Sequence, residues 1–448
     1  LRLIFPALEP ESGLTQEELL ETPASGLPLL FASIRGGLSR ELADFLLYLK
    51  KSKPQYAPLL ERALFPPKRA EIEPLRAREL FFSRDSVSVS RLETQALCPY
   101  MHFVNYGLRP QRIEDYKLNL RDSGSLMHEV MESALALFNG RDLNALTREE
   151  IFLAADRILD ERAPQYRYGY LLSSNRARRQ TEGLRVMART AVYEAVRQLA
   201  AGRFIQVGRE IVFDNNRDYP PISLNTAAGE LKLRGIVDRA DMLYLGNERY
   251  IRIVDYKSGA DKFLPERAAD GTALQLPLYM DAVLSAFKGA RAAGAFYFQI
   301  RELEGEDRIL LSGPAVNIPD VIEGMDPGAL NGKGEVISAR LAKNGLTGRN
   351  LLSPAAFDRL IRLAKDRAGQ IAADIAMGRI ESAPIDYSEQ ESPCRYCEHY
   401  LLCGIKEKGT RLRRACSGLN LEEDNSEPDV KEKEAKAHAV DADAAEGD

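Results

Sequence analysis

GIVDRADMLYL (235–245) and RYIRIVDYKSG (249–259) are the two stretches on which the rest of the chain turns. Both are rich in β-branched and aromatic residues, and the short connection at Gly246-Asn247 predicts an antiparallel hairpin. Acidic residues interrupt both apolar runs: Asp238 in the first, Asp255 with Lys257 in the second. Burying a carboxylate among Ile, Val and Tyr is costly unless a cation compensates it. Lys257 stands two residues after Asp255, so its side chain leaves the strand on the same face. Two such carboxylates on neighbouring strands suit a hard cation such as magnesium, which takes few protein ligands and keeps water and phosphate oxygens.

Working outward, REIVFD (209–214) and GAFYFQI (294–300) read as further strands. Helices are expected at about 272–287 and 354–377. Upstream, Leu126–Phe138 has apolar pairs at helical spacing, and Thr147 with Glu150 caps another helix. Ser90 with Glu93 also reads as a capping box, with a helix running from Arg91 toward Cys98-Pro99. Residues 1–85 are helix-like, with Leu38, Leu42, Phe45 and Leu49 on one face, and Pro66, Pro67 and Pro74 read as a linker. The stretch GALNGKGE (328–335) is no phosphate-binding loop, because Gly334 rather than Ser or Thr follows Lys333. This segment therefore supplies no ATP site.

Length and composition allow two or three globular domains. The net charge is −5, but eleven acidic and three basic residues fall in 421–448, which leaves +3 on residues 1–420. A mildly basic body accommodates a nucleic-acid partner, and the acidic tail is expected to be disordered. No apolar run approaches the roughly 18 residues of a membrane span, and no signal peptide opens the chain. The chain begins at Leu1 in mid-pattern and reads as the C-terminal part of something longer. Five cysteines, with Cys394, Cys397 and Cys403 spaced C-x2-C-x5-C, look like metal ligands in a reducing cytoplasm rather than a disulfide framework.

Asp238 followed by Asp255-Tyr256-Lys257 resembles the signature of the PD-(D/E)XK nuclease superfamily. The helix motif GSLMHEVME with His128, and Gln275 with Tyr279 in QLPLY, resemble motifs of its RecB branch. That resemblance implies an α/β fold in which a mixed central sheet is flanked by helices, spanning about residues 86–420. A helical N-terminal segment (1–85) would precede it and the acidic tail (421–448) would follow. It further implies that His128, Asp238, Asp255 and the Tyr256 carbonyl hold magnesium. Lys257 would orient or deprotonate the attacking water, and Gln275 and Tyr279 would position DNA or the lysine. Asp241 reads instead as structural, paired with Arg239 or Arg234.

One distant cysteine before proline, Cys98-Pro99, followed by a C-terminal trio, is similar to the pattern in AddB-type nuclease subunits and in CRISPR-adaptation nucleases. There Cys98, Cys394, Cys397 and Cys403 would hold a 4Fe-4S cluster, although thiolates of this kind also take zinc. Cys416 is expected to be a bystander. The implied protein is the nuclease end of an AddB-like subunit, working on single-stranded DNA ends or unwound duplex with an AddA-like helicase–nuclease partner. A stand-alone adaptation nuclease and a decayed DNA-binding scaffold are the competing expectations.

Overall fold

In the computed structural model, the described residues are 20, 26, 27, 30, 33, 39–57, 60 and 72–422. Within the last range 83–85, 111–119, 216, 218, 227–228, 260–262, 302–307, 344, 349, 389–391 and 404–411 are excepted. The chain divides into two compact units, Leu1–Glu71 and Ile72–Asp448. In the first, helix α1 (Arg40–Ser52) is capped by the Ser39 hydroxyl, which accepts from the N–H of Leu42. Leu42, Phe45 and Leu49 form its buried stripe, and Leu38, Pro66 and Pro67 lie outside the described residues.

The second unit begins at Ile72, ahead of the expected nuclease region, and Pro74 opens a helix instead of extending a linker. Proline is tolerated there, since the first helical N–H has no partner to lose. That helix, α2 (Pro74–Phe81), is followed by β1 (Ser86–Ser88) and α3 (Val89–Leu97). Three longer helices come next: α4 (Leu120–Leu137), α5 (Arg148–Arg162) and α6 (Asn175–Ala201). The expected capping box of α5 is present, with Thr147 and Glu150 bonding reciprocally. The Ser90–Glu93 box is not: α3 starts at Val89, and Glu93 turns its carboxylate away to a distant helix. A side chain three residues along a helix can cap locally or reach a tertiary partner, and here the tertiary partner wins.

The sheet is mixed, with eight strands among the described residues. At its centre are β4 (Gly229–Leu245) and β5 (Glu248–Lys257), antiparallel, with Leu245 opposite Glu248. Gly246 takes φ 59° in the connecting turn, the left-handed conformation a tight hairpin demands. β4 is long enough to pair with β2 (Ile205–Phe213) and β3 (Ile222–Thr226) at successive points, and at Lys232 and Leu233 it carries β3 on one edge and β1 on the other. After helix α7 (Gln275–Ala286), strand β6 (Ala290–Gln299) runs parallel to β5. Then β7 (Ala315–Val316) pairs with β6, a small hairpin forms from β8 (Ala339–Ala342) and β9 (Gly345–Gly348), and β10 (Leu351–Leu352) joins β7. Helix α8 (Pro354–Ala376) packs on α2, α3 and α7.

The two ends of this unit are stitched by hydrogen bonds. Gln95 Nε2 donates to the Arg379 carbonyl (3.1 Å), and the Tyr100 N–H to the Glu381 carbonyl (3.1 Å). Arg413 bridges the Ala96 and Ala383 carbonyls. The first residues of the expected disordered tail are ordered: Leu421 is buried and Glu422 caps α8. Its carboxylate accepts from the Ser353 N–H (2.8 Å) and hydroxyl (2.6 Å), a favourable place for an anion at a helix N-terminus. Residues 423–448 lie outside the described residues.

Asp241 sits in the core between two cations. Its Oδ2 accepts from Arg239 Nε (3.1 Å) and Arg252 Nε (2.8 Å), and all three side chains are fully buried. Arg239 is the expected partner; Arg252 comes from the facing strand, where it pairs with Asp241 in register. Asp241→Asn should therefore lower the unfolding free energy by about 3–5 kcal/mol, since it leaves two buried guanidiniums uncompensated. Urea unfolding measures this, and a loss under about 1 kcal/mol would mean that other acids neutralise the pair.

His102 is also fully buried, where it accepts from Arg91 Nε (3.1 Å) between the rings of Phe81 and Tyr106. Burial, with the Arg91 charge beside it, depresses its pKa to about 3, so the folded imidazole stays neutral. The unfolded side chain titrates near about 6.5, so this contribution to stability is complete above that pH and is lost as pH falls toward the folded pKa. His102→Gln keeps an acceptor for Arg91 but does not titrate. Its stability deficit against the wild type should shrink as urea midpoints are taken from neutral pH down toward pH ~4; a deficit independent of pH would contradict the neutral, buried imidazole.

Candidate active site

The hairpin register sets the geometry. Arg239 faces Val254, so Asp238 and Asp255 lie one step further along the strands, where β4 and β5 open out. Asp238 Oδ2 accepts the Tyr256 N–H at 2.6 Å. Helix α4 brings His128 Nδ1 to 3.5 Å from the same oxygen. Gly124 permits that approach: a Cβ there would lie 3.0 Å from the hydroxyl of Ser258, the residue after β5. Asp238 and Asp255 are buried (8% and 5% exposed), whereas His128 and Lys257 reach solvent.

Electrostatics follow from that crowding. Burial pushes the Asp255 carboxyl up to about 6, with the Asp238 charge adding to the effect and the Lys257 ammonium opposing it. Burial alone would lower the His128 pKa, but the hydrogen bond and charge of Asp238 outweigh it, and the imidazole is raised above its usual value. Lys257 is likewise held above the usual lysine value, since Asp255 overcomes the desolvation of its ammonium. Lys257 Nζ lies 2.6 Å from Asp255 Oδ2 as an ion pair, donates to Gln275 Oε1 at 2.6 Å, and stands 5.4 Å from the Tyr297 ring. Tyr279, one turn along α7 from Gln275, is buried edge-on against Phe213 at 5.3 Å. Gly235 makes room for it, because a Cβ there would fall 2.5 Å from Phe213 and 2.8 Å from Tyr279.

Two acids that the sequence did not single out for this site also face it. Glu93 Oε1 accepts from the N–H groups of Leu274 (2.7 Å) and Gln275 (3.0 Å). Burial raises its pKa to about 7 against those two bonds, and it feels both Lys257 and Asp255. Glu210 takes φ 44° within β2, a strained conformation for a residue with a Cβ. Its carboxyl is raised to about 7 by burial and by the charges of Asp238 and Glu132. The one sequence sign of Glu210 was two adjacent polar residues, Arg209 and Glu210, breaking the alternation of a strand.

The donor set fits a divalent cation. Two buried carboxylates and an imidazole converge, and Asp255 Oδ2 accepts no aligned hydrogen bond among the described residues. As they stand, no three His, Cys, Asp or Glu side chains among the described residues are gathered closely enough to cage an ion. Asp238 is turned to the Tyr256 N–H and Asp255 to Lys257.

Just beyond the end of α3, Cys98 lines one cavity with Cys394, Cys397 and Cys403, together with Tyr100 and Tyr400. Burial raises the thiol pKa of Cys98, Cys394 and Cys397. Cys416 is not among the lining residues; its N–H donates to Asp270 Oδ1 (2.9 Å). The glycine-rich stretch 328–335 wraps a carboxylate of the protein itself, for Asp326 Oδ2 accepts the N–H groups of Glu335, Val336 and Ile337 at 2.7–3.2 Å.

Residues 86–404 match the family model of the PD-(D/E)XK nuclease superfamily. The chain is 32% identical over 370 residues to the B subunit of the ATP-dependent helicase/deoxyribonuclease of Caldanaerobacter subterraneus subsp. tengcongensis, covering 77% of this chain and 32% of that protein. The protein of the same name from Alkaliphilus oremlandii is 30% identical over 352 residues, covering 73% and 31%. That from Clostridium tetani is 28% identical over 369 residues, covering 76% and 32%. The chain thus spans about a third of the length of these relatives. With the family match covering the hairpin, helix α4 and helix α7 together, the chain belongs to the PD-(D/E)XK nuclease superfamily.

Proposed function

We propose that this chain is the nuclease region of an AddB-like helicase–nuclease subunit, hydrolysing DNA phosphodiester bonds with magnesium in the repair of double-strand breaks. The observation that carries the reading is the meeting of His128, Asp238, Asp255 and Lys257 where β4, β5 and α4 come together. His128, Asp238, Asp255 and the Tyr256 carbonyl would hold the metal. When bound, magnesium polarises the scissile phosphate and makes water a better nucleophile. Lys257, fixed between Asp255 and Gln275, orients the attacking water and offsets the negative charge that grows on the phosphate. Tyr279, packed on Phe213, braces α7 and so helps to position Gln275 and the lysine.

The substrate class rests on the word deoxyribonuclease in the relatives' name, and the partner on that name's describing one subunit of a larger enzyme. A single-stranded DNA end or unwound duplex, delivered by an AddA-like helicase–nuclease, is the substrate we infer. No described helix is long and apolar enough to cross a membrane. A reducing cytoplasm suits the buried thiols.

The four cavity cysteines would hold a 4Fe-4S cluster that ties the start of the nuclease unit to its end. Closing a loop of roughly three hundred residues is worth at most about 5–6 kcal/mol by chain entropy. Part of that closure is already supplied by the hydrogen bonds of Gln95, Tyr100 and Arg413. A single zinc ion is the second reading, since four cysteines lining one cavity can also hold it.

Asp255→Ala and Lys257→Ala should each slow single-turnover cleavage of a DNA oligonucleotide in magnesium by at least about a hundredfold, with DNA affinity little changed. Near-normal cleavage by either variant would remove the assigned site. Anaerobically purified protein should contain about four irons per chain and absorb broadly near ~400 nm. Cys98→Ala should lose iron and stability together, and Cys416→Ala neither. One zinc and no iron would establish the second reading, whereas full metal content in the Cys98 variant would exclude both.

A further inference from the structure

We propose that Glu93 is a positioning residue of the nuclease reaction, acting through helix α7 on Lys257. The inference rests on the nuclease reading given above. Helix α7 begins without a local cap: Leu274 occupies the capping position and has no side-chain acceptor. Its first N–H groups would be orphaned inside the protein, at a cost, unless another element satisfied them. Glu93 does so from helix α3, far away in sequence, with one carboxylate oxygen taking both the Leu274 and Gln275 N–H groups. These are charge-assisted bonds made at the positive end of a helix, the strongest arrangement available for such a cap.

The consequence reaches the lysine. Gln275 is the first residue of α7, so its side chain goes where the helix start is held. Its amide oxygen accepts Lys257 Nζ at 2.6 Å, and the same ammonium makes the Asp255 contact. The chain of contacts is therefore carboxylate, backbone N–H, amide and ammonium. Glu93 is half-buried, close enough to feel the charges of both Lys257 and Asp255. Ser90, the local partner that a capping box would have used, is bonded to Ser88 instead.

The test uses the whole chain, a single-stranded DNA oligonucleotide and magnesium, with Asp255→Ala as the inactive control. Glu93→Ala should lower the maximal rate by about tenfold to a hundredfold, the penalty of a misplaced catalytic group, and leave KM within about twofold. Gln275→Ala should do the same, and the double variant should be no more than about twofold slower than the slower single, because both act along one path. Glu93→Gln keeps an acceptor and should stay within about threefold of wild type, while Glu93→Asp keeps the charge, cannot reach, and should be as slow as Glu93→Ala. The Asp variant also stands in if the Ala variant fails to fold. Independently of cleavage, hydrogen exchange at the Leu274 and Gln275 amides should accelerate in Glu93→Ala but not in Gln275→Ala. A wild-type rate in Glu93→Ala, losses that multiply in the double variant, or a Gln variant as slow as Ala would each overturn the proposal. If the wild type itself cleaves nothing, the nuclease reading falls, and the exchange measurement still decides whether Glu93 holds the helix.

Discussion

The pairing of β4 with β5 is the constraint on which the rest depends. One register, with Asp241 opposite Arg252, places Asp238 and Asp255 together at the open end of the hairpin. A slip of one residue would send every side chain of β5 to the other face of the sheet, and Asp255 and Lys257 would leave the site together. The Asp241 contact to Arg252 resists such a slip, because Arg252 would then be buried in the core without its carboxylate.

Around this hairpin the protein concentrates charge that a stable core would ordinarily avoid. Asp238, Asp255, Glu93 and Glu210 crowd one region, with His128 beside Asp238, and Lys257 brings positive charge against them. The upward displacement of Asp255, Glu93 and Glu210 from ordinary carboxylate values is the mark of burial, to which the neighbouring carboxylates add. A divalent cation held among these residues would relieve it directly. The left-handed backbone at Glu210 belongs to the same pattern, in which local strain is held in place by the sheet around it.

The supporting elements work at a distance from that centre. Helix α3 carries Glu93 to α7 and ends at Cys98, so one short helix touches both the lysine network and the cysteine cavity. Helix α8 is capped by Glu422 and packs against α2, α3 and α7, which closes the unit from its C-terminal side. The boundaries of the unit at Ile72 and beyond Asn420 reflect these contacts and not the composition of the segments that supply them.

The strands, the hairpin and the placing of Asp238, Asp255 and Lys257 in it were legible in the sequence, because period-two patterning and a tight Gly-Asn turn are local signals. The sequence also marked His128 and Gln275 through the resemblance of their motifs, and the α5 capping box through residues three apart. Only the tertiary structure decided what Glu93 caps, since a carboxylate three residues after a serine reads as a local cap until its real partner, 181 residues away, is in place. The same holds for Glu422, hidden in an acidic stretch, for Pro74, read as linker, and for Glu210, whose exposure to the site depends on a backbone conformation no pattern encodes. Local spacing specifies elements; which side chains meet across them is set by packing, where partners far apart in sequence compete for the same donor and the best-buried pair prevails.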